Sequence, residues 1–266
     1  MTFELGPALL FCPADRPDRF AKALERADAV ILDLEDAVAP HDKAAAREAV
    51  IAHQLDPTRT VLRVNPAGTD DYDLDLKALD DTDYRFVMLA KATGVADLDG
   101  LAGRDVIALC ETAAGVLAAP ELAAHDDVVA LMWGAEDLVV SLGGSSSRFA
   151  DGRYRDVAAH ARSSVLLAAG AYGKSAIDAV FLDIADTAGL DAEARDAAAV
   201  GFAATACIHP SQVAVIRSAY APSPDDLEYA RDLLAASESE RGVFVFRGAM
   251  VDEPLLALAR RTLARA

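Results

Sequence analysis

Short apolar runs alternate with longer amphipathic stretches along most of the chain. The run Ala8–Pro13 predicts a first strand, and the polar punctuation after it opens a helix from about Pro17 to Arg26, with Phe20, Ala23 and Leu24 inward. Ala29–Leu34 predicts a second strand that ends in Glu35-Asp36, and Pro40 and Asp42 start a helix through about His53. Strands three and four are Thr60–Val64, ending in Arg63-Val64-Asn65-Pro66, and Phe86–Leu89, ending in Lys91; the Asp-rich stretch between them is expected to hold at best a short helix. VIALC (106–110) and VVALMW (128–133) predict strands five and six, because each is followed at once by small residues and a helix. After a glycine-serine loop (141–148) come a helix from about Tyr154 to Gly170, strand seven at Ile177–Leu182, a helix from about Ala192 to Gly201 and strand eight at Ala206–Ile208. A further helix opens at His209-Pro210-Ser211.

Eight strands, each followed by helical or loop material, is the count of an α/β (β/α)8 TIM barrel. An open doubly wound sheet would expect a Gly-rich first turn for a nucleotide, and none is present. About forty-five residues remain. Ser223-Pro224-Asp225-Asp226 caps a helix to about Ser239, residues 242–254 pattern as a hairpin, and a short Arg-rich amphipathic helix ends the chain. The expected organisation is a barrel domain over 1–220 and a helical and hairpin extension over 221–266. The extension has no place inside a closed barrel and is expected to pack on a neighbouring subunit.

Composition narrows the function classes. The formal net charge of −18 argues against nucleic acid and anionic membranes, both of which need a basic field. Cys12, Cys110 and Cys207 lie in apolar runs without disulfide or metal spacing and read as buried reduced thiols. No run approaches the roughly eighteen apolar residues of a membrane helix, and the N-terminus has no basic region before its short apolar run. A soluble cytoplasmic protein is expected.

The chemistry concentrates after strands five and six, where Glu111 and Asp137 fall on one rim of a parallel barrel, the rim on which active sites are built. Two carboxylates suit Mg²⁺, which keeps several waters and draws its other ligands from substrate, whereas Ca²⁺ wants more protein oxygens. The same residues also suit the positive ends of the following helices, and the pattern alone leaves both readings open.

Seven motifs in order carry a family resemblance across nearly the whole chain: LFCPADRPDRFAKA (10–23), ILDLEDAVAPHDKAAAR (31–47), LRVN (62–65), ETAAG (111–115), WGAEDL (133–138), GF followed by CIHPSQV (201–213) and GAMVDEP (248–254). The chain resembles the citrate lyase β-subunit family of HpcH/HpaI aldolases, with the related malyl-CoA, citramalyl-CoA and β-methylmalyl-CoA lyases, and within it the stand-alone CitE-like proteins of mycobacteria. The resemblance implies that Glu111 and Asp137 are the Mg²⁺ ligands. It implies that Arg63 faces the metal-bound oxo acid, a task for which a guanidinium is suited by its permanent charge and forked donors. Phe11, Arg16 and Lys22 match positions that hold the nucleotide end of coenzyme A; an exposed helix face is the lesser alternative for these two cations and a stronger one for Arg19. Glu35 and Asp36 match the acidic pair near the metal and its waters, with helix capping a near-equal alternative.

Asp252 resembles the aspartate that reaches an adjacent subunit's active site as general acid/base, beside the plainer reading of a helix cap. Gly143–Ser147 reads equally as an anion cradle or a flexible link. His209 reads as structural. In one departure, Gly201-Phe202-Ala203-Ala204-Thr205 lacks the lysine that many members carry after GF, which bears on substrate preference and leaves the metal pair untouched. The resemblance implies a Mg²⁺-dependent carbon–carbon lyase and homo-oligomer (a trimer or hexamer) that cleaves a 3-hydroxyacyl-CoA thioester, of citramalyl-, malyl- or 3-hydroxy-3-methylglutaryl-CoA type, to acetyl-CoA and a small oxo acid. Two other readings stay open: a CoA-independent class II pyruvate aldolase, and a subunit active only with partner chains.

Overall fold

The structure, a computed structural model, describes residues 5–240 and 242–265; the first four residues of the N-terminal stretch read above lie outside these. Eight parallel strands close into a barrel in sequence order, β1 (Ala8–Pro13), β2 (Ala29–Asp33), β3 (Thr60–Val64), β4 (Phe86–Leu89), β5 (Asp105–Cys110), β6 (Val128–Trp133), β7 (Ser175–Asp178) and β8 (Ala204–Cys207), with β8 pairing back onto β1. The helices between them are α1 (Pro17–Arg26), α2 (Lys43–Ala52), α3 (Asp70–Asp80), α4 (Ala113–Ala124), α5 (Ala135–Ser141), α6 (Asp156–Ala171) and α7 (Thr187–Val200), and α8 (Pro210–Tyr220) follows the last strand. The (β/α)8 barrel expected from the apolar runs is the fold.

Side chains of one parity fill the interior, because successive residues of a strand point to opposite faces. Leu9, Ala29, Ile31, Val61, Met88, Ile107, Leu109, Ala130, Met132, Ile177, Ala204 and Ala206 form one buried cluster drawn from all eight strands. The residues two positions further on, at the C-terminal ends of the same strands, crown this cluster.

Some predicted boundaries move. The Asp-rich stretch after β3 is an eleven-residue helix, α3, because Thr69 caps it by accepting from the Tyr72 N–H and because one of its aspartates faces inward. Asp75 is fully buried and accepts from the Asn65 backbone N–H (2.8 Å), Asn65 Nδ2 (2.6 Å) and Arg47 Nε (2.6 Å). The helix is therefore longer than the short one expected for this Asp-rich stretch. β7 lies at Ser175–Asp178 rather than Ile177–Leu182, since its ladder to β8 ends at Asp178, whose carboxylate takes the Trp133 indole N–H (2.6 Å) and the Arg162 guanidinium. β8 starts two residues earlier than expected, at Ala204. α7 begins at Thr187 instead of Ala192, where Asp186 accepts from the Gly189 N–H at 2.8 Å.

The described residues form two compact units that divide between Ile216 and Arg217, inside α8 and slightly before the expected boundary at 220. The second unit has its own small core of Ala230, Leu233, Phe244, Val251 and Ala259. It comprises α9 (Pro224–Ser237), the hairpin β9 (Phe244–Phe246) and β10 (Ala249–Val251), and α10 (Glu253–Ala264). Ser223 and Asp226 form the capping box of α9 as the sequence predicts. Cys12, Cys110 and Cys207 are buried, and none is in a disulfide. Among the described residues no helix is long and apolar enough to cross a membrane.

The Asp75 network ties α2 and α3 to the end of β3, the strand that carries Arg63. Asp75→Ala strips partners from a buried guanidinium and a buried amide, so a loss of about 3–5 kcal/mol is expected. Urea unfolding of the variant beside the parent measures it, with the midpoint falling and the slope unchanged.

Candidate active site

Strand parity and register assemble the site. Phe11, Asp33, Arg63 and Glu111 each fall two residues beyond an interior apolar residue, namely Leu9, Ile31, Val61 and Leu109, so they project over the C-terminal end of the barrel core. Asp33 and Arg63 are direct partners across β2 and β3. The pairing brings Arg63 Nε to 2.7 Å and an Arg63 terminal nitrogen to 2.6 Å from the two Asp33 oxygens, a bidentate ion pair, and the other terminal nitrogen lies 3.0 Å from Glu35. The Arg63 guanidinium also covers the Phe11 ring at 4.9 Å.

Glu111 follows β5 directly and is buried. Asp137 lies in the first turn of α5, four positions beyond the end of β6, so its carboxylate arrives on a helix start instead of a strand end. Gly134 leaves the space for Glu111: a Cβ there would sit 2.9 Å from both Cβ and Oε2 of Glu111. Cys110 and Trp133 are register partners across β5 and β6, and the next residues on those strands are Glu111 and Gly134, which explains the close approach.

Lys91, just past β4, joins the acidic groups. Its backbone N–H donates to Glu111 Oε1 at 3.1 Å. Its ammonium bonds Glu35 and Asp36 (3.1 Å to the latter) and lies 3.5 Å from Asp137 and 3.9 Å from Glu111. Five carboxylates (Asp33, Glu35, Asp36, Glu111, Asp137) thus face two cations (Arg63, Lys91), a formal excess of three negative charges.

That imbalance is written in the proton affinities. Burial pushes the Glu111 carboxyl up, the neighbouring Asp137 charge adds to it, and Arg63 and Lys91 offset only part, leaving it at about 8. Burial likewise raises Glu35 despite Arg63 and Lys91. Asp36 goes the other way: its partial burial is outweighed by the Lys91 hydrogen bond and charge, and it falls below the usual range. A buried carboxyl with a raised proton affinity beside a second carboxylate can exchange its proton for a hard cation. Among the described residues no three His, Cys, Asp or Glu side chains are grouped for a metal, so the protein offers a pair of carboxylate oxygens, the small number with which Mg²⁺ is held. Glu111 and Asp137 are the residues that fit it.

Asp33, Asp36, Arg63, Glu111 and Asp137 line a cavity of about 260 Å³ that also includes Met132, Ala179, Val180 and Ile208, while Glu35 and Lys91 pair with residues of its wall. A larger groove of about 900 Å³ shares Glu136 and Leu182 with it. The groove's buried charges are already matched, Arg148 with Glu193 (2.8 and 3.0 Å) and Arg162 with Asp178 and Asp196. The unbalanced chemistry is in the smaller cavity.

The remaining expected site residues separate. Phe11 lies inside the cavity against Arg63, while Arg16, at the start of α1, and Lys22, within it, are exposed, Arg16 pairing with Asp18 at 3.2 Å. Asp252 is in the second unit, where it caps α10 by accepting from the Leu255 N–H at 3.4 Å. His209 Nδ1 bonds the Ser211 hydroxyl and N–H at the start of α8, in keeping with a structural histidine. Ser147, in the glycine-serine loop, donates to Glu136 at 2.6 Å. The sequence reading missed Lys91 and Asp33 as site residues. Lys91 carried the same signal as Glu111, a charge immediately after an apolar strand, and Asp33 shares its strand parity with Ile31.

A closed barrel with a buried, cation-seeking acidic centre at the C-terminal ends of its strands defines a (β/α)8 enzyme of the metal-assisted kind. The family model for HpcH/HpaI aldolase/citrate lyase matches residues 8–102 and 102–210, and the chain belongs to that family. It is 61% identical over 261 residues to the citrate lyase subunit beta-like protein of Mycobacterium tuberculosis (strain ATCC 25618 / H37Rv), covering 98% of this chain and 96% of that protein. It is 30% identical to the mitochondrial citramalyl-CoA lyase of Homo sapiens, with 97% and 85% covered. Among solved structures, protein CitE from Mycobacterium tuberculosis in complex with magnesium, acetoacetate and coenzyme A superposes with a TM-score of 0.95 at 61% identity, over 98% of each chain.

The raised Glu111 carboxyl sets a pH dependence. Its folded value of about 8 lies above the ordinary glutamate value of about 4.3, so the metal-free folded state binds more protons than the unfolded chain between them, and its stability falls as pH rises through that window. A cation needs the deprotonated form. Mg²⁺ affinity is therefore expected to increase with pH up to about 8 and then level, and binding at pH 7 should release most of one proton. Calorimetry in buffers of different ionisation enthalpy counts that proton.

Proposed function

We propose that the protein is a Mg²⁺-dependent carbon–carbon lyase that cleaves a 3-hydroxyacyl-CoA thioester reversibly to acetyl-CoA, or a close homologue, and an oxo acid. The observation that carries this reading is the buried Glu111 with the half-buried Asp137, beside Arg63 in a small cavity, in a chain of the HpcH/HpaI aldolase/citrate lyase family. The relatives support the class of substrate: one is a citramalyl-CoA lyase, another a (3S)-malyl-CoA thioesterase of Cereibacter sphaeroides at 34% identity, and the CitE complex holds magnesium, acetoacetate and coenzyme A.

When bound by Glu111 and Asp137, the cation supplies Lewis-acid polarisation of the oxygen that becomes the ketone. Cleavage breaks the bond between the carbinol carbon and the carbon alpha to the thioester; the hydroxyl loses its proton and the alpha carbon gains one. Arg63 has only part of its five-donor fork engaged by Asp33 and Glu35, so it is suited to a substrate carboxylate or a developing negative oxygen in the cavity it lines. Asp33 and Glu35 hold that guanidinium in place. Asp36 stays ionised at the cavity edge under the influence of Lys91. A volume of about 260 Å³ suits an oxo acid and leaves the nucleotide end outside, where the exposed cations Arg16 and Lys22 are proposed to meet the phosphates of coenzyme A. We place the enzyme in the cytoplasm as a homo-oligomer, a trimer or hexamer.

The test is a panel of malyl-, citramalyl- and 3-hydroxy-3-methylglutaryl-CoA thioesters incubated with the purified chain and Mg²⁺, with products identified by mass. Release of an oxo acid that stops on chelation and drops more than about a hundredfold in Glu111→Gln is the expected result. Cleavage of free hydroxy-oxo acids instead would favour an aldolase without coenzyme A, and dependence on an added protein would favour the subunit reading.

Asp252 is proposed as the general acid/base for the alpha carbon, reaching the site of an adjacent subunit. The support is its position: it lies over forty residues beyond the last barrel strand, in the compact unit that begins at Arg217. Asp252→Asn is expected to lower kcat about 10²–10⁴-fold with KM little changed. Mixing it with Glu111→Gln after dissociation and reassembly should restore part of the activity, because a hybrid interface pairs an intact Glu111 with an intact Asp252. No recovery despite verified subunit exchange rules out the shared site.

A further inference from the structure

Lys91 has two features that its place as a strand-end residue does not account for. Its backbone is left-handed (φ 51°), which among the described non-glycine residues is otherwise seen only at Arg247. This unfavourable conformation directs its N–H at Glu111 Oε1 while its side chain reaches Glu35, Asp36 and Asp137. The ammonium hydrogen-bonds Glu35 and Asp36. Its separations of 3.5 and 3.9 Å from Asp137 and Glu111 are too long for good hydrogen bonds but short enough for strong charge attraction.

We infer that Lys91 is a tethered counter-cation: it keeps Glu111 and Asp137 together in the metal-free protein and competes with the divalent ion for them, so that it sets how tightly Mg²⁺ is held. This inference rests on the reading that Glu111 and Asp137 hold the metal. The physical reasoning is local. Five clustered carboxylates repel one another, and with Arg63 paired with Asp33 and Glu35, Lys91 is the cation nearest the metal pair. Lysine suits the task because its charge is a compact point on a flexible stem, able to withdraw toward Glu35 and Asp36 when a stronger cation arrives. A divalent ion at the pair meets like-charge repulsion from an ammonium a few ångströms away, and its affinity is lowered by that amount. Loss of the positive charge should therefore tighten the metal while weakening the metal-free fold. A residue that merely shaped the site would do the reverse to the metal.

The experiment compares Lys91→Met, Lys91→Gln and Lys91→Arg with the wild type by calorimetric Mg²⁺ titration and by thermal melts with chelator or excess Mg²⁺, with Glu111→Gln as control. Lys91→Met and Lys91→Gln are expected to lower the Mg²⁺ Kd by about tenfold or more. They should also melt earlier than wild type in chelator and gain more from Mg²⁺. Lys91→Arg should restore a Kd near wild type. A neutral variant that folds only with Mg²⁺ agrees with the inference. Unchanged or weaker Mg²⁺ binding in both neutral variants overturns it, as does failure of both to fold in excess Mg²⁺, which makes Lys91 a structural residue. If wild type takes up no Mg²⁺, or Glu111→Gln binds it equally well, the metal reading itself fails and the inference with it.

Discussion

Carboxylates can sit at the mouth of an apolar barrel only where cations answer them, and that requirement organises this site. The acids are answered one by one: buried Asp33 and Glu35 take Arg63, Glu35 and the exposed Asp36 take Lys91, and buried Asp178 takes Arg162 together with the Trp133 indole. Glu111 is the exception. It accepts the Lys91 backbone N–H, yet its carboxyl is still pushed to about 8, because burial and Asp137 outweigh the two cations nearby. Unanswered negative charge in a low-dielectric cavity is what makes a site seek a metal ion or a proton.

The barrel delivers this arrangement through parity. Closing eight parallel strands gives every strand an inner face, and the period of two carries that face from the apolar core to the crown of Phe11, Asp33, Arg63 and Glu111. Rigidity follows from the same geometry. The Asp33–Arg63 pair is built into the β2–β3 register, and Asp75 holds the backbone immediately after β3 through Asn65. The parts of the site that come from loops and helix starts, Asp36, Lys91 and Asp137, are the more exposed ones, as expected for groups that exchange solvent and ligand.

The second unit follows another logic. Its core is small, and it depends on local devices: the Ser223–Asp226 capping box, a two-stranded hairpin turning at Arg247-Gly248, and the Asp252 cap of α10. The cap of α10 is also the residue proposed to act on the substrate.

Much was decided by the chain's local pattern. Apolar runs bounded by turn residues marked all eight strands, and their number determined the barrel; Pro17, Pro210 and Ser223-Pro224 marked helix starts where the structure has them. Glu111 was legible because its strand is short and apolar and the charge follows directly. What the pattern left undecided depended on neighbours far away in sequence. The inward Asp75 that anchors α3 finds its partners in Asn65 and Arg47, and β7 ends early where Trp133 and Arg162 claim Asp178. Lys91 was visible only as the charge that ends strand four. Only closure of the barrel, which brings together the ends of β2, β4 and β5 and the start of α5, puts its ammonium among four carboxylates, because the distances that govern Coulomb attraction exist only in the folded chain.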